Sequence, residues 1–202
     1  MKSLEDAVTS RRMTRNFTAE PVPPDVVDEL LALAERSPAA GNTIGRSYLV
    51  LEGPSVTHYW DVALPMDRRK GFPWPGLLAA PVLVLPLPDP DAYVKRYGEA
   101  DKARTGLGGG IERWSVPYWD VDTAFAAMVI LLGAEARGLG ALFFGLFDQQ
   151  SVVCETFGIP ERRRPIGVIA LGHPAPDQRS SRSAQRGRHP IGDVVHRGRF
   201  RS

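Results

Sequence analysis

Val26, Val27, Leu30, Leu31 and Ala34 recur at helical spacing with Asp28, Glu29 and Glu35 on the other side. That alternation predicts an amphipathic helix opening at Pro24 or Asp25. A shorter helical pattern precedes it, where Ser3 and Asp6 form a capping-box variant and Leu4, Ala7 and Val8 share one side. Short apolar runs predict strands at 47–51, 81–85, 140–147 and 165–171, the second bracketed by Pro and Gly as a strand covered on both faces is. Asp148 is placed to cap a further short helix through Phe157. From Thr123 to Ala134 the chain carries no charge, so residues 120–137 predict a helix that is apolar all round. Such a helix must be buried all round, inside the chain or at a large subunit interface. Helices and strands mix without strict βαβ alternation, which predicts an α+β fold with a long buried helix against a central sheet.

The pattern is weaker from Gly53 to Gly110. Pro88, Pro90, Gly106, Gly108, Gly109 and Gly110 punctuate residues 87–117, with a helical patch only at 92–97. This stretch reads as an excursion from the core and a flap over a site. The whole chain, 1–202, is of a length for one domain with a real core.

Composition narrows the function classes. A net charge of +2 argues against a dedicated nucleic-acid binder. The charge is uneven, however: a basic C-terminal extension from about residue 176 carries Arg179, Arg182, Arg186, Arg188, Arg197, Arg199 and Arg201, with Asp193 the one acid after Asp177. The single cysteine, Cys154, excludes an internal disulfide and fits a reducing compartment. The N-terminus has acids where a signal peptide has its apolar run, and no segment reaches membrane-spanning length without Gly, Pro or charge. The expectation is a cytoplasmic protein with no membrane association.

Candidate chemistry is sparse. His58, His173, His189 and His196 are scattered, without metal-ligand spacing. There is no dinucleotide-binding fingerprint, P-loop or nucleophile elbow, and Cys154 sits among apolar neighbours. An enzyme with this sequence borrows its chemistry from a cofactor. Four stretches can hold one. Arg11, Arg12 and Arg15 are forked cations at the end of the first helical pattern, suited to a phosphate or equally to a solvated basic turn. The small-residue stretch 37–42, ending in Asn42, allows close backbone approach to a flat ring or is an ordinary connection. Gly145 and Leu146 end a strand, where a backbone N–H can face a ligand or a glycine can serve packing. Arg186 and Arg188 place two forks close together near the C-terminus, or belong to a frayed basic tail.

In this order the four stretches resemble the FMN-dependent nitroreductase family. Residues 11–17, Arg-Arg-Met-Thr-Arg-Asn-Phe, look like its Arg-Arg-Ser-x-Arg-x-Phe opening, and Ser-Pro-Ala-Ala-Gly-Asn at 37–42 like its Ala-Pro-Ser-Ala-Gly-Asn loop. Gly138-Leu139-Gly140 with Phe143-Phe144-Gly145, and Leu171-Gly172-His173-Pro174, resemble two further segments. The resemblance implies a mostly antiparallel sheet and a homodimer with FMN at the interface, the 120–137 helix in the dimer core. It implies that Arg11, Arg186 and Arg188 bind the phosphate, with Arg12 beside them and Met13 in a position that is serine in the family. Arg15 would lie at the N1–C2 edge of the flavin, Pro38, Ala39, Ala40 and Asn42 against the ring, and the backbone of Gly145 and Leu146 at N5. The implied activity is ping-pong transfer of hydride from NADH or NADPH to a nitroaromatic, quinone or related acceptor. Met13, Ala39 and Met128-Val129 depart from the family pattern by loss of polar groups, and a lysine that some members carry falls on Gly76, with Lys70 a candidate to substitute for it. A flavin-sequestering protein with little turnover is the alternative.

Overall fold

The computed structural model describes residues 1–178 and 186–200, Phe147 by its backbone alone. Arg179, Arg182 and Arg201 of the basic extension lie outside the described residues. The chain runs α1 (Leu4–Ser10), α2 (Pro24–Ala34), β1 (Arg46–Glu52), α3 (Pro54–Ala63), α4 (Met66–Arg69), β2 (Val82–Pro88), α5 (Pro90–Tyr97), α6 (Tyr118–Ala136), β3 (Gly140–Phe144), α7 (Gln150–Thr156), β4 (Val168–Gly172) and α8 (Ile191–Val194).

The strands form one sheet in the order β1-β2-β4-β3, every neighbouring pair antiparallel. β2 pairs with β4 only over Val82–Val84, so the ladder ends before Pro86, which has no N–H to give it. Alternate residues of each strand feed two cores. On one face Leu51, Leu83, Leu85, Leu142 and Ala170 meet α3 and α7 through Val56, Tyr59, Trp60 and Val153. On the other, Val82, Val84, Ala141, Ile169 and Leu171 meet α2 and α6 through Val27, Leu30, Ala126, Ile130 and Ala134. The sheet is thus the middle of three layers, which explains why all of β2 is buried.

Three expectations change. α6 is not buried all round in the single chain: Ala126, Ile130 and Ala134 are fully enclosed, but Phe125 and Met128 on the opposite side are each 47% exposed. The strand expected at 140–147 stops at Phe144, and Asp148 lies in a 3-10 turn instead of capping α7.

The segment that follows β2 is fastened to the body. Tyr93 is buried, and Trp114 makes edge-on contacts with Tyr93, Tyr97 and Trp119 at centroid distances of 5.9, 4.7 and 5.8 Å. Arg163 and Arg162 pair with Asp89 and Asp91 at its start, and Arg164 reaches Asp120 at its end.

Candidate cofactor site

α1 opens as its sequence predicts, with the Ser3 hydroxyl accepting from the Asp6 amide at 3.1 Å, and packs on α6. Just beyond it the three arginines do different work. Arg12 is exposed and donates Nη1 to the carbonyls of Thr9, Ser10 and Arg11 at 3.0–3.1 Å, so it braces the end of the helix. Arg15 donates to the Met13 carbonyl at 3.1 Å and lies over the Trp74 ring, 5.1 Å from its centroid. Arg11 has a fully buried Nη1 with no partner. A buried guanidinium nitrogen without an acceptor is costly, and a carbonyl, carboxylate or phosphate oxygen would satisfy it; the Glu135 carboxylate is near enough to feel the Arg11 charge.

The stretch then docks on the sheet. Met13 bridges Ala141 in parallel, Thr14 donates to the Ala141 carbonyl at 3.0 Å, and Phe17 bridges Pro174. Met13 and Gly145 are therefore tied to one strand, β3, and Gly145 follows its last residue. Leu146 is buried, and its carbonyl accepts from the Gln149 amide. The Trp74–Gly76 segment packs close by: Phe17 donates to the Gly76 carbonyl, and a Cβ on Gly76 would lie 1.6 Å from Asn16 Oδ1. No side chain fits there while Asn16 keeps its place. Arg15, Asn16, Trp74, Gly76 and Asp177 line a cleft of about 180 Å³.

The 37–42 loop is held from beneath. Arg46, its side chain 6% exposed, pairs with Glu35 at 2.8 Å and reaches the carbonyls of Ala34, Glu35 and Ser37. Burial by itself would lower the Arg46 pKa, but the hydrogen bond and charge of Glu35 outweigh it and hold the group above the ordinary arginine value. Tyr48 also donates to Glu35, at 2.8 Å; burial first, then that bond, pushes its phenol well up. Ala40 donates its amide to the Asp122 carboxylate at 2.7 Å. Gly41 has φ 65° and Asn42 φ 52°, so the turn passes twice through the left-handed region, and Asn42 stays exposed. Ser37 and Pro38 open onto a groove of about 620 Å³, shared with Leu4 and Ala7 of α1 and with Phe125 and Met128 of α6.

The single chain thus ties the Arg11–Arg15 stretch to β3 through Met13 and Thr14 at Ala141, while Gly145 and Leu146 follow the strand's far end. It sets Pro38, Ala39, Ala40 and Asn42 in a separate turn, linked to α1 through the groove. Arg186 and Arg188 are exposed, and among the described residues no hydrogen bond or ion pair joins them to the arginine stretch. Sequence reasoning missed Asp122, Tyr93, Arg46 and Arg96 around the turn. The available signal was Asp122 itself, an acid in the first turns of a helix that carries no further charge until Glu135.

With the geometry in view, comparison with known proteins is decisive on family. The Nitroreductase family model matches residues 8–173. The chain belongs to the nitroreductase family. The match includes the arginine stretch, the 37–42 turn and Gly145, and ends before Arg186. Among relatives, an FMN reductase (NAD(P)H) of Bacillus subtilis is 25% identical over 97% of this chain and 74% of its own. An NADH dehydrogenase of Thermus thermophilus is 28% identical, with 84% of this chain and 85% of its own covered. In fold, the nitroreductase family protein cd3355 of Clostridium difficile superposes with a TM-score of 0.71 at 19% identity, covering 99% of this chain and all of its own. A Desulfovibrio desulfuricans protein assigned as a nitroreductase and solved in complex with FMN gives 0.71 at 20% identity, over 100% and 99% of the two chains.

Proposed function

We propose that this nitroreductase-family protein is an FMN-dependent oxidoreductase that takes electrons from NADH or NADPH and passes them to a small oxidised acceptor such as a nitroaromatic or a quinone. The observation that carries the reading is Arg11, a half-buried guanidinium whose Nη1 has no hydrogen-bond partner, a forked cation of the kind that binds a phosphate. The relatives' names, FMN reductase and NADH dehydrogenase, support the donor and the cofactor class.

The donor set on the chain fits FMN. Arg11 would bind the phosphate, and Arg12, engaged by three carbonyls, would keep the helix end in place for it. Arg15 would set a fixed positive charge at the N1–C2 edge, oriented by Trp74 and the Met13 carbonyl. Pro38, Ala39 and Ala40 would lie against the ring, with the exposed Asn42 amide as donor and acceptor. The backbone at Gly145 and Leu146 would address N5. Bound there, FMN supplies two-electron chemistry, with donor and acceptor taking the same position in turn. Arg186 and Arg188 would complete the phosphate grip from a second copy, in a homodimer that covers Phe125 and Met128 and excludes water from the site.

Flavin sequestration with little turnover is the second reading, and Met13 favours it: its side chain packs into the apolar cores where the family carries a polar serine. Titration of FMN into flavin-free protein tests the common claim. Quenching of FMN fluorescence and a raised melting temperature are expected; a colourless protein indifferent to FMN in both would defeat it.

A further inference from the structure

We propose that Asp122, Tyr93 and Arg96 form a clasp that presets the Ala40–Asn42 turn for the flavin, which makes them positioning residues of the FMN site; the inference rests on the FMN reading above. Asp122 is 3% exposed on a helix whose other enclosed residues are apolar apart from Thr123. Burying a carboxylate is expensive unless hydrogen bonds satisfy it. Its Oδ2 accepts two, from the Ala40 amide and from the Tyr93 hydroxyl, both at 2.7 Å. One carboxylate therefore joins α6, α5 and the turn.

α5 adds two more contacts of its own. Arg96 donates Nε to the Gly41 carbonyl at 2.9 Å, while its Nη1 and Nη2 hold both oxygens of Asp101 at 2.7 and 2.8 Å. That bidentate grip fixes the guanidinium plane. The Tyr97 ring lies against Gly41 so closely that a Cβ there would come within 2.9 Å of Cε2. The Ala40 carbonyl is taken in turn by the Thr43 amide and hydroxyl, at 3.3 and 2.6 Å.

The need for a clasp lies in the turn's conformation. Two successive left-handed residues, the second of them Asn42, cost about 1–2 kcal/mol and persist only where the surroundings over-determine them. The clasp takes up the Ala40 amide and the Gly41 carbonyl and leaves Asn42 exposed. A turn ordered before the ligand arrives spares binding the cost of ordering it. The excursion predicted as a flap thus supplies a fastener through α5.

Tyr93→Phe removes one hydroxyl and Arg96→Ala one guanidinium, and neither residue is a proposed flavin contact; Asp122→Asn is the third variant. In flavin-free protein, hydrogen exchange over residues 38–44 is expected to quicken about tenfold in Tyr93→Phe and Arg96→Ala, while the β2–β4 amides keep wild-type protection. FMN Kd is expected to rise by about tenfold or more, the scale of one hydrogen bond to a charged group. Unchanged exchange in both variants would overturn the clasp, and so would a uniform rise across the sheet, which marks general loosening. Quickened exchange with an unchanged Kd would overturn the positioning role. Wild-type protein that binds no FMN would reject the FMN reading itself, a result read separately from the exchange data, and the positioning role with it.

Discussion

Arg11, Arg12 and Arg15 are indistinguishable as letters, and their surroundings separate them. Arg12 gives one nitrogen, Nη1, to three carbonyls and Arg15 lies on Trp74, while Arg11 keeps a buried nitrogen without a hydrogen-bond partner. Arg11→Ala is therefore expected to weaken FMN binding by about 1.5–3 kcal/mol, the usual scale for a hydrogen bond to a charged group. Arg12→Ala should cost under about 1 kcal/mol, because an exposed cation contributes little. Isothermal titration with FMN reads both, and equal losses at the two positions would show that the phosphate is held elsewhere. The candidate contacts were legible because each lies in a contiguous stretch of distinctive residues. Asp122 and Tyr93 were not, since their meaning appears only when partners 82 and 29 positions away are brought to one oxygen.

Among elements, α6 is the most informative. Its lack of charge predicted burial, and the structure divides that prediction: one side packs on α2 and the sheet, while Phe125 and Met128 open into the groove. Periodicity alone reports that both sides are apolar, and cannot say that one chain encloses only one of them. α3 was missed for a different reason. Val56, Tyr59 and Trp60 mark its buried stripe, but it is short and lies where Gly and Pro obscure the pattern. The end of α6 carries a pH-sensitive contact. Burial alone would raise the Glu135 pKa, but bonds from Lys2 and Ser10 and the charges of Lys2 and Arg11 hold it below the usual carboxylate range. A carboxylate with a depressed folded-state pKa adds stability above its unfolded value, about 4.3, and loses it as pH falls through the folded value. Glu135→Gln should therefore be less stable than wild type at pH 6, by less than about 1 kcal/mol because Lys2 is partly exposed. The difference should close as pH falls from about 5 toward 3. Thermal melts across that range check it; a gap that widens on acidification would contradict the sign.

For the whole molecule, a central sheet with a long helix against it was legible in outline, because apolar runs mark strands wherever both faces are covered; the antiparallel pairing came only from the family resemblance, and the second helical layer was not foreseen. The strand order was not legible either, since pairing joins residues far apart in sequence. The chain also leaves exposed the apolar side of α6 and, with no hydrogen bond or ion pair among the described residues, Arg186 and Arg188. Both fit a homodimer. Phe125→Glu is expected to turn a dimer at micromolar concentration into a monomer and to weaken FMN binding along with it. Light scattering reads the mass; a wild-type monomer, or a dimer that survives the substitution, would contradict that interface.

The proposed function requires FMN on this protein to take electrons from a nicotinamide. Anaerobic mixing of FMN-loaded protein with NADH or NADPH tests it most directly, followed through the flavin's visible absorption. Bleaching within seconds to minutes by at least one nicotinamide is expected, with return of the colour when a quinone or nitroaromatic is added. Flavin that stays oxidised with both would contradict it and leave a flavin-binding protein without reductase activity.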